Sequence, residues 1–548
     1  MNKYKVVVFI VARLNSSRFP KKHFRKIGAL TLIDWAIYNL KQSKEIDQIV
    51  LATVNEKCNT PLVEWSKKQN ISYFLYNGNV DHVTTRLVKA AQKYNADICV
   101  LISGDCPLPH AESIDLMIKE LKRHPEKDYI SVSKIDGKYP AIQGIQVAWK
   151  RTWELADQLS NSPELKEHHF PILNKRKDIF KAHELILDQK VYIPYPHRFS
   201  IDTWADLEFF NKVYSELKNA NKKFSLPNVT NLLMEKPELL NINAHVHQRK
   251  IKENINNILM IVDIGENIGY GHLMRSIEIA LKTTEYISWP VTFLIQDHKA
   301  KDIITNYGLN VIYKEHIIDN FIVDTNNTAN RLNIDKFDIL FFDLFHKRQI
   351  NSNWLDFFIR KGKKVIVLDN LDNWCLKAHK IIIPGVTLNT DKPFIDNIVW
   401  GKDYIIIRDD IVKQRHLCKE KDIDLLVYIH DKRLRKKIKE TISNDLTLKI
   451  IEKFNPNFPK LLARSKMFIS SFGYSFYEAA FLKSYPICFP GSKKHEKEAL
   501  LFYKNLKLTP YIIHEVKELK TLKEALKFPK GITIKNGVKN VVDLIKNI

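Results

Sequence analysis

The sequence predicts an α/β protein that is built from parallel sheets and divided into more than one domain. Short apolar runs alternate with amphipathic helical stretches along the chain, which is the pattern of a parallel sheet covered by helices. The alternation stops in a polar stretch near residue 250 and then resumes. With 548 residues, 45% of them hydrophobic, the chain is long enough for at least two hydrophobic cores.

Predicted strands and helices follow one another regularly in the N-terminal half. The strand candidates are KVVVFIV, DQIVLATV and DICVLIS, and the helix candidates between them are LTLIDWAIYNLKQS and TPLVEWSKKQ. Apolar residues in the first helix recur at helical spacing on one face. We therefore predict a core role for Leu32, Ile33, Ala36, Ile37 and Leu40.

The polar stretch VHQRKIKENINN lacks apolar periodicity and is a predicted linker. Two sets of strand candidates follow it: LMIVDI, VTFLI, DILFFD, KVIVL and KIIIP, then DLLVYI, LKII, MFIS and PICF. Each set predicts one Rossmann-like half. We expect domains at 1–247 and 257–548 with a linker at 248–256, and lobes of the second domain at about 257–390 and 391–548.

Composition narrows the class of function. There are 86 lysines and arginines against 62 aspartates and glutamates, a net charge of +24, which favours anionic partners. The lysines are spread along the chain and no nucleic-acid-binding motif is present, so we predict no nucleic-acid partner. The six cysteines form no CxxC pair, which predicts reduced thiols in the cytoplasm and no structural zinc site. No apolar run approaches the roughly 18 residues of a membrane span.

A basic loop follows the first predicted strand. In open α/β sheets, ligands bind at the carboxyl ends of strands, where cations can neutralise a triphosphate. Arginine grips phosphate oxygens in pairs, and lysine acts as a compact point charge. The loop lacks the GxxxxGK[ST] pattern of a P-loop, and a solvated surface turn is the alternative. Within ARLNSSRFPKKHFRKIG, the polar residues are Arg13, Ser16, Ser17, Arg18, Lys21 and Lys22.

Two carboxylates accompany this loop. Asp105 follows the predicted strand DICVLIS, and Asp202 lies in HRFSIDTWADLEFF, between a strand end and a helix. Two aspartates that converge on a nucleotide make a plausible Mg²⁺ site, because Mg²⁺ binds carboxylates, water and substrate phosphates. The alternatives are a helix N-cap for Asp202, with Thr203 as the competing cap, and a turn residue before proline for Asp105.

These three motifs resemble those of the cytidylyltransferases that activate sialic-acid-like sugars, above all the branch named for spore-coat polysaccharide synthesis. VARLNSSRFPKKHF matches the family's QARxxSxRLPGKxL, SGDCPL matches TGDCPL, and RFSIDTWADLE matches RxTVDTxEDLE. The resemblance covers most of residues 4–247. It implies a Rossmann-like nucleotidyltransferase domain that uses CTP, Mg²⁺ and an acidic sugar, and related enzymes often form dimers.

The resemblance also implies residue roles. Arg13 and Arg18 bind phosphate, Lys22 stabilises charge at the α-phosphate, and Asp105 and Asp202 bind Mg²⁺. Ser16 and Ser17 belong to the nucleotide-binding loop. Weaker matches imply nucleotide or sugar contacts for Gly78, Arg86, Gly144, Glu167 and His168. The chain departs from the pattern at Lys21, which replaces glycine, at His82, which replaces aspartate, and at Gln146 and Ala148, which replace an acidic pair. We expect these positions to touch the sugar or a metal ion, so the changes leave the identity of the sugar open.

A second candidate site begins the C-terminal domain. ENIGYGHLMRS is a glycine-flanked turn that leads into a helix, where Gly269 and Gly271 permit close backbone approach. His272 would lie at the helix start, and a histidine can act as a general base near neutral pH. A helix cap or a surface histidine is the alternative.

The turn, with later motifs, resembles the UDP-sugar hydrolases of pseudaminic acid biosynthesis, which have a two-lobed glycosyltransferase-B-like architecture. The resemblance covers roughly residues 257–525 and implies that His272 activates water against a UDP-linked sugar. Further matching residues are implied to bind nucleotide (Gly269, Gly271, Gly473, Ser475 and Glu478) or substrate (Tyr404 and Arg408).

The second domain departs further from its model family. Ile261 replaces an arginine, and Ile429, His430 and Phe472 replace glycines. Lost glycines remove close backbone approach to a pyrophosphate. Three hypotheses therefore stay open for this domain: a hydrolase, a binding-only domain and a true glycosyltransferase.

Overall fold

The computed structural model describes residues 4–248, 253–264, 271–345, 348–388, 396–418, 420–429, 431–442, 446–452, 455, 457–521 and 527–548. The chain divides into two compact units, Met1–Asn254 and Ile255–Ile548. Each unit has its own α/β framework, as the alternation of strands and helices predicts. The prediction of parallel sheets holds for the C-terminal unit, but the main N-terminal sheet is mixed, because its strand Ile145–Trp149 runs antiparallel to both of its neighbours.

The N-terminal unit is built around one seven-stranded sheet. Its strands are β1 (Val6–Val11), β2 (Lys26–Ile27), β3 (Leu30–Thr31), β4 (Gln48–Val54), β5 (Ser72–Tyr76), β6 (Ile98–Ser103), β7 (Tyr129–Val132), β8 (Tyr139–Pro140), β9 (Ile145–Trp149), β10 (Ala182–Leu185) and β11 (Tyr192–Ile193). The order in the main sheet is β10-β7-β9-β6-β1-β4-β5. Two short pairs, β2 with β3 and β8 with β11, lie outside it.

Helices complete this unit: α1 (Leu32–Leu40), α2 (Thr60–Lys68), α3 (Val83–Lys93), α4 (Ala111–Arg123), α5 (Lys150–Leu159), α6 (Pro163–Glu167), α7 (Ile172–Lys175), α8 (Trp204–Asn219) and α9 (Leu226–Glu235). The five residues predicted for the core face of α1 are all buried. Thr31 caps α1, because its side-chain oxygen accepts a hydrogen bond from the amide of Asp34.

The strand register brings the predicted motifs to one edge of this sheet. β1 pairs in parallel with β6, and Val11 at the end of β1 lies opposite Ser103 at the end of β6. β1 and β6 are entirely or almost entirely buried, as expected for central strands of a sheet covered on both faces. The basic loop after β1 and the carboxylate turn after β6 therefore leave the sheet side by side.

The C-terminal unit contains two sheets, and both are parallel. The first has the order β14-β13-β12-β15-β16-β17-β18 and the second β20-β19-β21-β22. Their strands are β12 (Ile258–Val262), β13 (Val291–Ile295), β14 (Asn310–Tyr313), β15 (Ile339–Asp343), β16 (Lys364–Leu368), β17 (Lys380–Ile383), β18 (Ile398–Trp400), β19 (Ile423–Tyr428), β20 (Leu448–Ile451), β21 (Ser465–Ser470) and β22 (Tyr485–Cys488).

The helices of this unit are α10 (Gly271–Ile287), α11 (His298–Asn306), α12 (Ile317–Val323), α13 (Thr325–Leu332), α14 (Trp354–Arg360), α15 (Asp409–Leu417), α16 (Lys432–Thr441), α17 (Phe458–Arg464), α18 (Ser475–Phe481), α19 (Lys493–Asn505) and α20 (Val538–Lys546). β18 extends the first sheet although the expected lobe boundary lies near residue 390, and the last helix, α20, packs against α10.

Candidate active site

The basic loop after β1 is held in a fixed shape by its own hydrogen bonds. The amide of Lys21 donates to the carbonyl of Leu14 at 3.1 Å, and the amide of Leu14 donates to Asn59 Oδ1 at 2.8 Å. The amide of Phe19 donates to Ser16 Oγ at 3.3 Å. Lys21 adopts a left-handed φ of 55°, a conformation that favours glycine. Lys21 therefore adopts the backbone conformation expected for the glycine that the family has at this position.

Lys22 joins the two predicted carboxylates. Its Nζ lies 2.8 Å from Asp105 Oδ2 and 2.6 Å from Asp202 Oδ1. Lys22 begins a short 3₁₀ helix and is only 7% exposed, so the alternative of a solvated turn does not describe it. Three residues that are distant in sequence thus form one charged cluster at the carboxyl edge of the sheet.

Neighbouring groups hold both carboxylates in place. Asp105 Oδ1 accepts a hydrogen bond from Ser103 Oγ at 2.6 Å. Asp202 Oδ2 pairs with Arg198 Nη2 at 2.5 Å, and Asp202 Oδ1 lies 3.2 Å from Arg18 Nη2. Thr203 is the N-cap of α8 and forms a capping box with Asp206. Since Thr203 caps the helix, the carboxylate of Asp202 is left to face the cluster.

Opposite charges keep this cluster ionised despite its burial. Burial acts to lower the pKa of Lys22, but attraction to Asp105 and Asp202 outweighs it and raises the pKa above its ordinary value. Burial acts to raise the pKa of Asp202, yet Lys22, Arg18 and Arg198 hold it well below the ordinary value. The pKa of Asp105 is also lowered, because Lys22 outweighs burial and the repulsion from Asp202.

These lowered pKa values predict a loss of stability in acid. The ionised carboxylates stabilise the fold above the unfolded-state pKa of about 3.9, and this contribution disappears as the pH falls towards the lower folded-state values. We expect Asp202→Asn to cost stability at pH 7 and the difference from the wild type to shrink as the pH falls below about 4. Urea unfolding followed by tryptophan fluorescence at several pH values measures this, and a difference independent of pH would contradict it.

Gly144 lies close to Ser103 and Cys106, beside this cluster. Its φ is +65°, and a Cβ there would come within 2.7 Å of Ser103 Cβ and of Cys106 Sγ. The carbonyl of Gly144 also accepts a hydrogen bond from the amide of Ser103 at 2.7 Å. A side chain at position 144 would therefore displace the turn that carries Asp105.

We expect Gly144→Ala to destabilise the N-terminal unit by roughly 1 to 3 kcal/mol, because it combines backbone strain with overpacking. Gly137→Ala is the matched control, since Gly137 has a φ of +74° but a Cβ there would have no atom within 4 Å. Comparing the free energies of unfolding of the two variants separates the cost of backbone strain from the cost of the steric clash. Equal losses in the two variants would show that Ser103 and Cys106 exert no steric pressure.

The remaining predicted residues lie at varied positions. Arg13 Nη1 pairs with Asp81 at 3.2 Å and is partly exposed. Arg86 is buried and donates from Nη2 to the carbonyl of Val80 at 2.9 Å, and burial, with a smaller effect of Arg13, lowers its pKa to about 10. Gly78 packs against Tyr76, whose hydroxyl would lie 2.2 Å from a Cβ. Glu167 ends α6, and His168 follows it.

One expectation at β9 is wrong. Ala148 is fully buried in the core and pairs with Cys99 of β6, so that it does not reach a sugar or a metal ion. Gln146 Oε1 accepts a hydrogen bond from Trp153 Nε1 at 2.9 Å. The substitutions at these two positions therefore alter packing behind the sheet edge.

Sequence reasoning missed several residues of the cluster. Arg198 pairs with Asp202, and its Nε lies 3.4 Å from Asp206 Oδ1. The imidazole of His23 is buried beside Lys22, and its pKa falls to about 3 because of burial and then of Lys22. Arg198 opens the motif RFSIDTWADLE, so its place in that motif was a usable signal. His23 had no such signal, since it lies among basic residues.

A second group of charges surrounds the start of α10 in the C-terminal unit. His272 Nδ1 lies 2.8 Å from Asp343 Oδ1, and Asp343 is the last residue of β15. Arg275 Nη2 donates to Asp343 Oδ1 at 2.6 Å, and Arg275 Nη1 donates to Asp369 Oδ2 at 2.5 Å. Burial acts to raise the pKa of Asp343, but Arg275 and His272 hold it below its ordinary value. An ionised carboxylate thus orients the histidine.

A cavity of about 260 Å³ adjoins this group. Gly271, Arg275, Arg408, Tyr428, Phe458, Ser475 and Glu478 line it in part. Arg408 Nε donates to Glu478 Oε1 at 2.7 Å, so two of the predicted contacts bind each other. Tyr404 ends a short 3₁₀ helix before α15, and a Cβ at Gly473 would meet no atom within 4 Å. Gly269 and His430 lie outside the described residues.

Residues 7–228 match the family model described as cytidylyltransferase. A spore coat polysaccharide biosynthesis protein of Bacillus subtilis is 24% identical over 216 residues, which is 38% of this chain and 87% of that protein. A 3-deoxy-manno-octulosonate cytidylyltransferase of Chlamydia pneumoniae is 30% identical over 122 residues, 22% of this chain and 46% of that enzyme. The chain thus spans about half the length of the second relative.

A solved structure of a cytidylyltransferase from Leptospira borgpetersenii is 26% identical and covers 43% of this chain and 97% of that one, with a TM-score of 0.37. The family match ends within the N-terminal unit. In the part of the chain that the structure describes, no helix is both long and apolar enough to cross a membrane.

Proposed function

We propose, from the match of residues 7–228 to the cytidylyltransferase family model, that the N-terminal unit transfers CMP from CTP to an acidic sugar of the nonulosonic type. The observation that carries this proposal is the bridge from Lys22 to Asp105 and Asp202 at the carboxyl edge of the sheet. Anionic ligands of open α/β sheets bind at this edge.

The residues of the cluster divide the chemical work. Arg13 and Arg18 lie on the basic loop and would bind the phosphates of CTP, with Ser16 and Ser17 as polar contacts in the same loop. The hydroxyl of the sugar attacks the α-phosphate in line, and pyrophosphate leaves. Lys22 is charged and held between two carboxylates, so that it can stabilise the negative charge that builds on the α-phosphate.

Asp105 and Asp202 fit a Mg²⁺ ion, because both are ionised carboxylates whose oxygens face a common cation, Lys22 Nζ. The ion would add positive charge beside the triphosphate. Arg198 and Ser103 hold the remaining carboxylate oxygens and so fix the direction of the donor atoms. The protein thus positions and neutralises the reactants.

The acidic sugar is proposed to contact residues around Gly144, Glu167 and His168. One relative is described as a 3-deoxy-manno-octulosonate cytidylyltransferase, which supports an acidic sugar. Another is described as a spore coat polysaccharide biosynthesis protein, which supports a role in polysaccharide synthesis. The altered residue His82 lies next to Asp81, the partner of Arg13, and so near the phosphate-binding loop. Because His82 stands where the family has an aspartate, this chain lacks a negative charge there.

Pyrophosphate release from CTP tests this proposal. The full chain is incubated with CTP, Mg²⁺ and separate acidic sugars: 3-deoxy-manno-octulosonic, N-acetylneuraminic, legionaminic and pseudaminic acids. We expect release with at least one of them, its loss on chelation, and a strong reduction in Asp105→Asn. Asp136→Asn, a change in an exposed turn, is the control. No release with any acidic sugar would refute the acceptor class.

We also propose that the C-terminal unit hydrolyses a nucleotide-linked sugar, with UDP as the nucleotide. The pair formed by His272 and the ionised Asp343 supports this, because a carboxylate that orients an imidazole prepares it to accept a proton from water. The adjoining cavity brings Arg275 and Arg408, which can bind phosphate, next to Tyr428 and Phe458, on which a base can stack.

UDP release from UDP-linked sugars by the full chain tests the second proposal, with Lys22→Met present to silence the first unit. We expect release in water that His272→Gln abolishes and that His416→Gln, a change of an exposed histidine on α15, leaves intact. Release only after addition of an acceptor would indicate a glycosyltransferase. Tight binding without release would indicate a binding-only domain.

A further inference from the structure

A separate group of metal-binding side chains lies at the edge of the main sheet in the N-terminal unit. Glu120 lies in the last turn of α4, His124 is the residue that directly follows this helix, and His183 lies on β10. Among the residues that the structure describes, each of these three offers a ligand atom within 4.8 Å of the other two. We propose that Glu120, His124 and His183 bind a divalent transition-metal ion of the zinc class.

The ligand atoms already converge. Glu120 Oε2 lies 3.9 Å from His124 Nε2 and 3.8 Å from His183 Nε2. Zinc bonds of about 2.0 to 2.1 Å in a tetrahedron place neighbouring ligand atoms about 3.3 Å apart. The rings of the two histidines are stacked, with centroids 4.3 Å apart and planes 19° apart. Small side-chain rotations therefore close the site around an ion.

Neighbouring groups leave the right atoms facing inward. His124 Nδ1 lies 3.4 Å from Glu126 Oε1, which leaves Nε2 of the same ring for the metal. Such a carboxylate behind a histidine ligand fixes its ring and raises its basicity. Arg123 Nη1 donates to Glu120 Oε1 at 2.5 Å, which leaves Oε2 towards the imidazoles. His124 and Glu120 thus each have one defined donor atom, and Nε2 is the atom of His183 that lies nearest to Glu120 Oε2.

The donor set selects the class of metal. Two imidazoles and one carboxylate suit zinc and its neighbours in the transition series, whereas Mg²⁺ prefers oxygen ligands alone. His124 is more exposed than the other two ligands, so that water can reach the ion as a fourth ligand. The pair Asp105 and Asp202 is chemically different, because it has two carboxylates and a lysine.

The position suggests what the ion would do. β10 is the last strand of the main sheet and is hydrogen-bonded within that sheet to β7. An ion held by β10 and α4 would fasten this edge strand to the helix that packs on it. The cysteine pattern predicts no structural zinc site. It gives no information about histidines, which come together here only because β10 pairs with β7.

Zinc titration of the chelator-treated full chain tests the proposal, with a chromophoric chelator as competitor. We expect zinc affinity to fall at least about tenfold in His183→Gln and in Glu120→Gln, since each removes a ligand and changes volume little. His416→Gln is the matched control, and Asp105→Asn should also bind zinc as the wild type does. Co²⁺ should give the visible spectrum of a four-coordinate site in the wild type and lose it in His183→Gln.

Thermal unfolding gives a second readout. Zinc should raise the melting temperature of the wild type and of His416→Gln, and raise that of His183→Gln less, because an ion that binds the folded state stabilises it. Far-ultraviolet circular dichroism checks that each variant is folded, and Glu126→Gln offers a milder change that keeps all three ligands. Equal zinc affinity in the wild type, His124→Gln and His183→Gln would overturn the proposal, and so would absence of zinc binding to the wild type.

Discussion

Lys22→Met is expected to lower pyrophosphate release from CTP by about 100-fold or more, as for other losses of a group that stabilises transition-state charge. Methionine keeps most of the length of the side chain but removes the charge and the N–H donors to Asp105 and Asp202. The ammonium of Lys22 joins Asp105 and Asp202, whereas Arg18 on the same loop pairs with Asp202. Initial rates at saturating CTP and sugar measure the effect on kcat.

The same change also tests the cluster as a structural element. Removing one partner of a buried ion pair costs roughly 3 to 5 kcal/mol, because the other charges stay buried. Activity must therefore be measured where circular dichroism shows a folded protein. Lys26→Met is the matched control, since Lys26 is an exposed lysine on β2. A folded Lys22→Met enzyme with wild-type activity would refute the role of Lys22.

Asp343→Asn is expected to destabilise the C-terminal unit by roughly 3 to 5 kcal/mol. Asp343 is fully buried and accepts hydrogen bonds from Arg275 and Ser276. An amide of the same size leaves the buried guanidinium of Arg275 with Asp369 as its remaining carboxylate partner. Chemical unfolding measures the loss of stability, and any UDP release should also disappear, because the amide no longer orients His272 as a base.

Asp335→Asn is the control for Asp343→Asn, because Asp335 is an exposed aspartate in the same unit. A stable Asp343→Asn protein would mean that the charge of Asp343 contributes little to the fold. A stable protein that also releases UDP normally would refute the proposed pair with His272.

The strands were predictable where they form continuous apolar runs. β1, β6, β12 and β15 read as continuous apolar runs because both faces of their sheets are covered. In the N-terminal unit, the prediction missed the internal strands β7 and β9 and the edge strands β5 and β10. The prediction missed β14 and β18, which are the two edge strands of the first C-terminal sheet and are only half-buried. A half-buried edge strand carries less apolar sequence, so its pattern merges with that of a loop.

Residues of the candidate site were predictable where they follow a predicted strand or lie at the start of a predicted helix. Arg18, Lys22, Asp105 and Asp202 qualified by position and by motif. Ala148 failed, because its place in a motif says nothing about which face of β9 is buried. His23 stayed hidden, since its burial beside Lys22 depends on how the loop folds back.

The sequence by itself determined the α/β class, the position of the basic loop and the order of the motifs, because these depend on local periodicity and on residue type. Only the tertiary structure decided which groups meet. Lys22 reaches Asp202 because β1 and β6 are neighbours and the segment before α8 returns to their edge. His183 reaches Glu120 because β10 pairs with β7 beside α4. Contacts between distant residues follow from strand order, which local patterns do not encode.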